Sequence, residues 1–286
     1  MTVKDFLMKN VSASTIIVIL LIILIIAALD IRLKKAEYNI ESDKIKDKVT
    51  LAVVSDLHGC YYGKNQKTLV NKISKSNPDA ILLAGDIFDD EVPYKHSEKF
   101  LEQISGKYPI YFVTGNHEYF SNEPEVILEK ISSYGITILN GSTDILEVKG
   151  EKIQISGITD IYAASFVANQ IGYKEQLDNI ETKISKENFS VLVAHRPELI
   201  NEYLNYSYDL VVSGHAHGGQ WRIPFILNGL YAPSQGFFPK YAGGLYKFSN
   251  LDFIVSRGLA RESTAFVPRI FNRPELVIVN ISKKSI

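Results

Sequence analysis

Cysteine is almost absent from this chain of 286 residues, with Cys60 its single representative. That excludes an intrachain disulfide framework and any zinc site built on several thiolates. Cys60 itself reads as a lone buried thiol. Neither sign of charge is in excess: 31 basic residues face 32 acidic ones, for a net charge of −1. No global basic surface is therefore available to bind nucleic acid by charge alone. Internal repeats and low-complexity tracts are missing from the chain beyond residue 29. Histidine is scarce, six in all, so the places where it falls carry information.

What is present begins with 46% hydrophobic residues, enough for one large globular domain or two small ones. One segment stands apart. From Val11 to Leu29 there is no charge, and residues 16–26 are almost pure Ile, Leu and Val. This matches the roughly 20 apolar residues that a helix needs to cross a bilayer. A secretory signal has a shorter apolar core, and Ala27-Ala28 offers a poor cleavage site. A buried soluble helix would keep a polar face, and this segment has none. The expected organisation is a short tail over 1–10, a retained transmembrane anchor over 11–29, a charged juxtamembrane linker over 30–47 and a folded domain over 48–286.

Within the domain, β-branched apolar runs alternate with amphipathic stretches. Strands are expected at 50–55, 80–84, 110–114, 136–139, 145–149, 152–157, 191–194, 210–213, 245–248, 252–256 and 276–281. Helical spacing is clearest at 66–76, 97–105 and 123–134. "VKGEKI" at 148–153 and "FSNLDF" at 248–253 read as hairpin turns. The first half is thus β-α-β-α-β, which points to a parallel sheet, and the second half is richer in hairpins.

In open α/β sheets, ligands gather at the carboxyl ends of the strands. "VVSDLHGC" ends the first strand with Asp56 and His58, two residues apart, as if both were aimed at one point. Asp and His at a strand end also cap and turn, so this pair alone leaves both readings open. The second strand ends in "AGDIFDD", with Asp86 and Asp89, and the third in "TGNHEY", with Asn116 and His117. "VLVAH" ends in His195, and "LVVSGHAHGG" carries His215 and His217. Five of the six histidines fall just past expected strands. Five strand ends that all deliver Asp, Asn or His point to a metal site.

The order "SDLHG", "GDIFD", "GNHE", "AHRPE", "SGHAHGGQW" resembles the signature of the calcineurin-like metallophosphoesterases. The later "GLYAPSQGFFPKYAGGLY", "VSRGL" and "RPEL" are similar to one subgroup, the bacterial membrane- or wall-associated phosphohydrolases of the YkuE/YaeI type. The fold implied is α/β: a four-layer αββα sandwich, two packed mixed sheets flanked by helices. The resemblance implies one metal held by Asp56, His58, Asp86 and His217, and a second held by Asp86, Asn116, His195 and His215, with Asp86 bridging. It also implies that His117 acts beside the leaving group and that Asp89 orients it.

Oxygen and nitrogen ligands without thiolate favour two divalent ions of Mn or Fe and admit Zn or Co. Two such ions about 3.5–4 Å apart activate a water and stabilise phosphoryl oxygens. Arg196, next to a ligand, is suited either to touching phosphate or to capping the following helix. The aromatic segment after His217 is expected mainly to pack, with Phe237, Phe238 and Tyr241 as candidates to wall the pocket against an apolar part of the substrate.

The expected activity is hydrolysis of a phosphoester or pyrophosphate, on a lipid-linked or cell-envelope substrate because the anchor confines the site to the bilayer. A nucleotide or cyclic-nucleotide phosphodiesterase and a nuclease are alternatives, the latter disfavoured by the neutral charge. Intact His117 and Asp89 argue against a metal-bearing scaffold without turnover. Lys4 and Lys9 before the anchor, against Arg32, Lys34 and Lys35 after it, favour a cytoplasmic domain. The subgroup resemblance and the short N-terminus ahead of one apolar segment favour export, and an extracytoplasmic domain on the cell membrane is the expectation.

Overall fold

In both sheets of the protein, strands with apolar side chains on both faces form the centre, because each sheet is covered twice. The computed structural model describes residues 13–261 and 268–284. The expected tail over 1–10 and the first two residues of the expected anchor lie outside them. The first sheet is built from β1 (Lys34–Ser42), β2 (Val49–Val54), β3 (Ala80–Ala84), β4 (Ile110–Val113), β5 (Thr137–Ile138) and β14 (Glu275–Lys283), in the order β1-β14-β2-β3-β4-β5. Strands β2 to β5 run parallel, while β14 is antiparallel to β2 and parallel to β1. The second sheet contains β6 (Ser142–Val148), β7 (Glu151–Gly157), β8 (Phe189–Val193), β9 (Leu210–Ser213), β12 (Gly244–Lys247) and β13 (Asp252–Val255), in the order β12-β13-β9-β8-β7-β6. A small hairpin of β10 (Tyr231–Ala232) and β11 (Gly236–Phe237) stands apart from both.

Alternation along each strand sorts side chains into layers. Leu51, Val53, Leu82 and Ala84 of the first sheet meet Ile153, Ile155, Val191, Val193 and Val212 of the second in one buried core. Their neighbours Ala52, Val54, Ile81 and Leu83 face outward and pack on Leu69 and Ile73 of the helix Lys67–Ser76 and on Phe100 and Leu101 of the helix Lys95–Ile104. On the far side, Leu192, Val211 and Phe253 pack on Leu177 and Ile180 of the helix Tyr173–Glu181 and on Tyr203. The sandwich is the expected αββα arrangement. The helix Tyr173–Glu181 escaped the sequence reading because "YKEQLDNIE" shows only two aliphatic residues in nine.

The N-terminal region differs from expectation in two ways. The apolar segment forms a helix over Ala13–Ala28, 16 residues with none buried. Among the described residues no helix is long and apolar enough to cross a membrane. The expected linker is not a linker. Residues Lys34–Ser42 are the edge strand β1, paired in register from Lys34 opposite Glu275 to Ser42 opposite Lys283. Its charges drew attention from a period of two: Ala36 and Ile40 are buried and Tyr38 packs on the inter-sheet core, while Lys35, Glu37 and Glu41 stay exposed. The sandwich therefore begins near Lys34, not Lys48.

Candidate metal centre

The carboxyl ends of β2, β3 and β4 in one sheet and of β8 and β9 in the other open onto a single seam. Cross-sheet hydrogen bonds fix that seam: His195 Nδ1–H donates to the Ala84 carbonyl at 2.8 Å, and the His215 N–H donates to Asp56 Oδ1 at 2.8 Å. Asp56, His58, Asp86 and His217 offer ligand atoms within 4.8 Å of one another, as do Asp86, His195 and His215. Asp86 Oδ2 is shared between the two groups, 3.6 Å from His58 Nε2 and 3.1 Å from His195 Nε2. Its other oxygen, Oδ1, accepts the His117 N–H at 2.9 Å.

The convergence does not come from strand pleating. β2 ends at Val54, and Asp56 (φ 51°), His58 (φ 46°), Asp86 (φ 53°), His215 (φ 65°) and His217 (φ 46°) all adopt left-handed backbone. Such conformations are uncommon for residues with a Cβ, and where they cluster they mark a site that overrides local preference. Glycine gives way where the carboxylates lie: a Cβ on Gly115 would strike the Asp86 side chain, and one on Gly214 would strike Ser55 and Asp56.

Four buried polar atoms in this seam have no hydrogen-bond partner: His58 Nε2, Asp86 Oδ2, Asn116 Oδ1 and His195 Nε2. Buried polar atoms are normally paired, so four converging orphans ask for a cation. The tautomers agree. His58 Nδ1–H donates to Asp89 Oδ2 at 2.7 Å and His195 Nδ1–H donates to a carbonyl, so in each ring the inward Nε2 is the atom left to ligate. Burial, reinforced by neighbouring positive groups, holds His215 and His217 well below the usual histidine range, which favours their neutral rings. Burial, with the Asp86 charge adding to it, pushes the Asp56 carboxyl up. Burial pulls the His195 imidazole down, but the Asp86 carboxylate outweighs it and holds the pKa at about 10. A divalent ion seated on Asp86 and His195 must displace that proton, so its affinity falls as pH falls.

Asp89 does not sit where the sequence put it. Its Oδ2 is 2.7 Å from His58 and 3.7 Å from His117, whereas Asp90 Oδ1 accepts from His117 Nδ1–H at 2.5 Å. Asp89 orients a candidate ligand, and Asp90 orients His117. In "GDIFDD" the two carboxylates are adjacent, and the loop conformation alone decides which reaches which ring. Glu118 was also missed. It is fully buried and accepts the N–H groups of Asp86, Ile87, Phe88 and Gly115 at 2.7–3.0 Å, tying the second strand end to the third. Burial, then the Asp86 charge, push it up to about 7.

Arg196 is buried and held by Asp160 at 2.6 Å, with Nη1 3.3 Å from His215 Nε2 and 3.0 Å from Ser234 Oγ. Ser234 belongs to the β10–β11 hairpin, so this hairpin forms the rim of the site. Tyr241 is not part of a pocket wall. It is buried in the outer core against Tyr246 and Phe253, with ring centroids 5.1 and 5.6 Å away. Phe237 and Phe238 are exposed, and their ring contacts are with Tyr231 and with each other.

A family model described as "Calcineurin-like phosphoesterase" matches residues 49–219. The metallophosphoesterase YkuE of Bacillus subtilis is 26% identical over 258 residues, covering 87% of this chain and 85% of its own. A zebrafish transmembrane protein with a metallophosphoesterase domain is 28% identical over 221 residues, covering 71% of this chain, which spans half of its length. Among solved structures, the NAD nucleotidase of Haemophilus influenzae matches with a TM-score of 0.51 at 15% identity, covering 75% of this chain and 46% of its own. At that identity the likeness concerns the fold.

Proposed function

Since this chain belongs to the calcineurin-like phosphoesterases, metal-dependent hydrolases of phosphoesters, we propose that it works as a membrane-anchored phosphohydrolase with two metals, acting on a lipid-linked or cell-envelope substrate. Asp56, His58, Asp86 and His217 would hold one ion; Asp86, Asn116, His195 and His215 would hold the other. The observation that carries this is Asp86 Oδ2, a buried oxygen without a hydrogen bond, lying between His58 and His195. Mn or Fe suits the donor set best. Bound there, the ions supply Lewis acidity and activate a water toward in-line attack on phosphorus.

The chain's own residues do the rest. Asp89 fixes the His58 ring, and the Ala84 carbonyl fixes that of His195. His117 takes the position beside the departing oxygen, with Nδ1 on Asp90 and Nε2 as the donating atom. Such a donor is worth about 10²–10⁴-fold. Arg196, neutralised by Asp160, holds the rim at Ser234 and His215. Hydrolysis of bis-p-nitrophenyl phosphate tests the reading: chelation should abolish it and Mn²⁺ restore it. A rate indifferent to chelator overturns it.

The anchor in this reading is the apolar segment 11–29, whose described part is the helix Ala13–Ala28, with no buried residue, and the domain lies on the outer face of the cell membrane. Protease added to protoplasts should digest the domain, and full protection would place it inside. Mass spectrometry of an envelope-lipid extract, before and after treatment with the full chain, should reveal a phosphoester that disappears.

A further inference from the structure

Directly after His217 the chain makes a second kind of surface. Ile223 N–H bonds to the Leu227 carbonyl at 3.0 Å to close a tight loop, and that loop holds Phe225 and Ile226 in solvent, at 109% and 82% exposure. Alongside it the β10–β11 hairpin holds out Phe237 and Phe238, at 71% and 69%. The two loops are joined, since Leu230 N–H donates to the Trp221 carbonyl at 2.8 Å and Phe238 N–H to the Leu230 carbonyl at 2.7 Å. Phe225 (φ 68°) and Phe238 (φ 56°) are in left-handed backbone, a region that bulky side chains avoid. A strained backbone that exposes large apolar side chains needs a partner to balance it.

The neighbours of this patch say which partner. Trp221 pairs with Ile270, and its Nε1–H donates to the Pro268 carbonyl at 2.9 Å. Arg222 N–H donates to the Ile270 carbonyl at 2.9 Å, and the next residue, Phe271, donates its N–H to the Ala28 carbonyl at 2.7 Å. The base of the patch is therefore hydrogen-bonded, through one short segment, to the carboxyl end of the apolar helix Ala13–Ala28. Beyond that helix end, Leu29 and Ile31 are again exposed apolar residues. A charged collar follows, with Asp30 paired to Arg32 at 2.8 Å and to Arg273 at 3.3 Å. Apolar residues with a cationic rim at a helix end suit the headgroup boundary of a bilayer.

We propose that Trp221, Ile223, Phe225, Ile226, Phe237 and Phe238 form a membrane-docking surface that dips into the lipid interface beside the anchor. It presents the metal-site rim, through Ser234 on the same hairpin, to phosphate groups at headgroup level. The proposal rests on the anchored reading above and adds a surface that the anchor alone does not require.

Trp221 is the sole tryptophan of the chain, which makes it a built-in reporter. The full chain is reconstituted into vesicles of phosphatidylcholine and phosphatidylglycerol that carry bromine at shallow or deep acyl positions. Vesicle flotation is measured beside Trp221 emission. The expected result is flotation with strong quenching, greatest for shallow bromine because interfacial segments lie about 5–10 Å into the boundary. Replacing both Phe225→Asp and Ile226→Asp should remove about half or more of that quenching, while flotation and hydrolysis of a soluble diester stay unchanged. Flotation with Trp221 unquenched and open to aqueous iodide overturns the docking surface and leaves the anchor standing. A blue-shifted emission without bromine quenching assigns the patch to a second copy of the chain and also overturns it. Failure to float removes the anchor and the docking surface together.

Discussion

The metal-site loops and the aromatic loops that follow them are consecutive in the chain, share left-handed backbone, and treat their side chains in opposite ways. At the site, Asp56, Asp86, four histidines and the Asn116 amide, which water would normally solvate, are buried. In the loops, Phe225, Ile226, Phe237 and Phe238, which water would normally expel, are exposed. Both arrangements are unfavourable for the folded chain by itself. The difference lies in what would complete each: a cation would neutralise the first, and in the docking proposed above an apolar phase would cover the second. The fold places the two kinds of incompleteness side by side, joined at Ser234 and Trp221.

Substitutions can pull this pairing apart. The largest effect is expected at Asp86. Asp86→Ala should abolish turnover and cost both metals, as elemental analysis would read; two ions still bound would refute the bridging role. His117→Ala should keep both metals while kcat falls about 10²–10⁴-fold, less for substrates with good leaving groups. Metal loss in that variant would make His117 a ligand.

Tyr241→Ala, though within the aromatic segment, should behave as a core truncation and cost about 3 kcal/mol in denaturant unfolding, whereas Phe237→Ala should stay within about 0.5 kcal/mol. Equal losses would mean that the segment is one packed unit. Asp89→Asn should weaken metal binding roughly 10–100-fold through His58, while Asp90→Asn should spare metal and lower kcat through His117. The reverse pattern would restore the roles read from sequence.

The strand ends were legible because rare residues fell on them. A histidine past an apolar run is conspicuous, and four such strand ends, with the paired aspartates after a fifth, are readable without knowing how the chain turns. The turning itself is not legible: alternation along a strand would aim Asp56 and His58 at one point, yet both lie beyond β2 in left-handed backbone. Glu118 looked like any helix-surface glutamate, since nothing in "GNHEY" says that four N–H groups from two loops will point at it. Strand β1 was hidden by its lysines and glutamates, which an edge strand carries on its solvent side. Tyr241 is close to Phe237 and Phe238 in sequence, yet it lies past the β10–β11 hairpin and packs in the core while they face solvent.

The register of β1 against β14 has a mechanical consequence. Helix Ala13–Ala28 ends only a few residues before Lys34, and from there the chain is locked, residue by residue, to the last strand of the sandwich. On the anchored reading proposed above, the protein would have a handle instead of a leash. A flexible leash lets a catalytic head sample every height and tilt above a surface; a handle transmits any lean of the helix straight to the seam between the sheets. Reach is exchanged for aim. Substrates that float at one depth in one orientation are then served well, and those that dangle far into solution gain nothing from the attachment. Cutting the chain at Lys48 would detach more than the handle, because it strips the edge from the first sheet and exposes β14 to unwanted pairing.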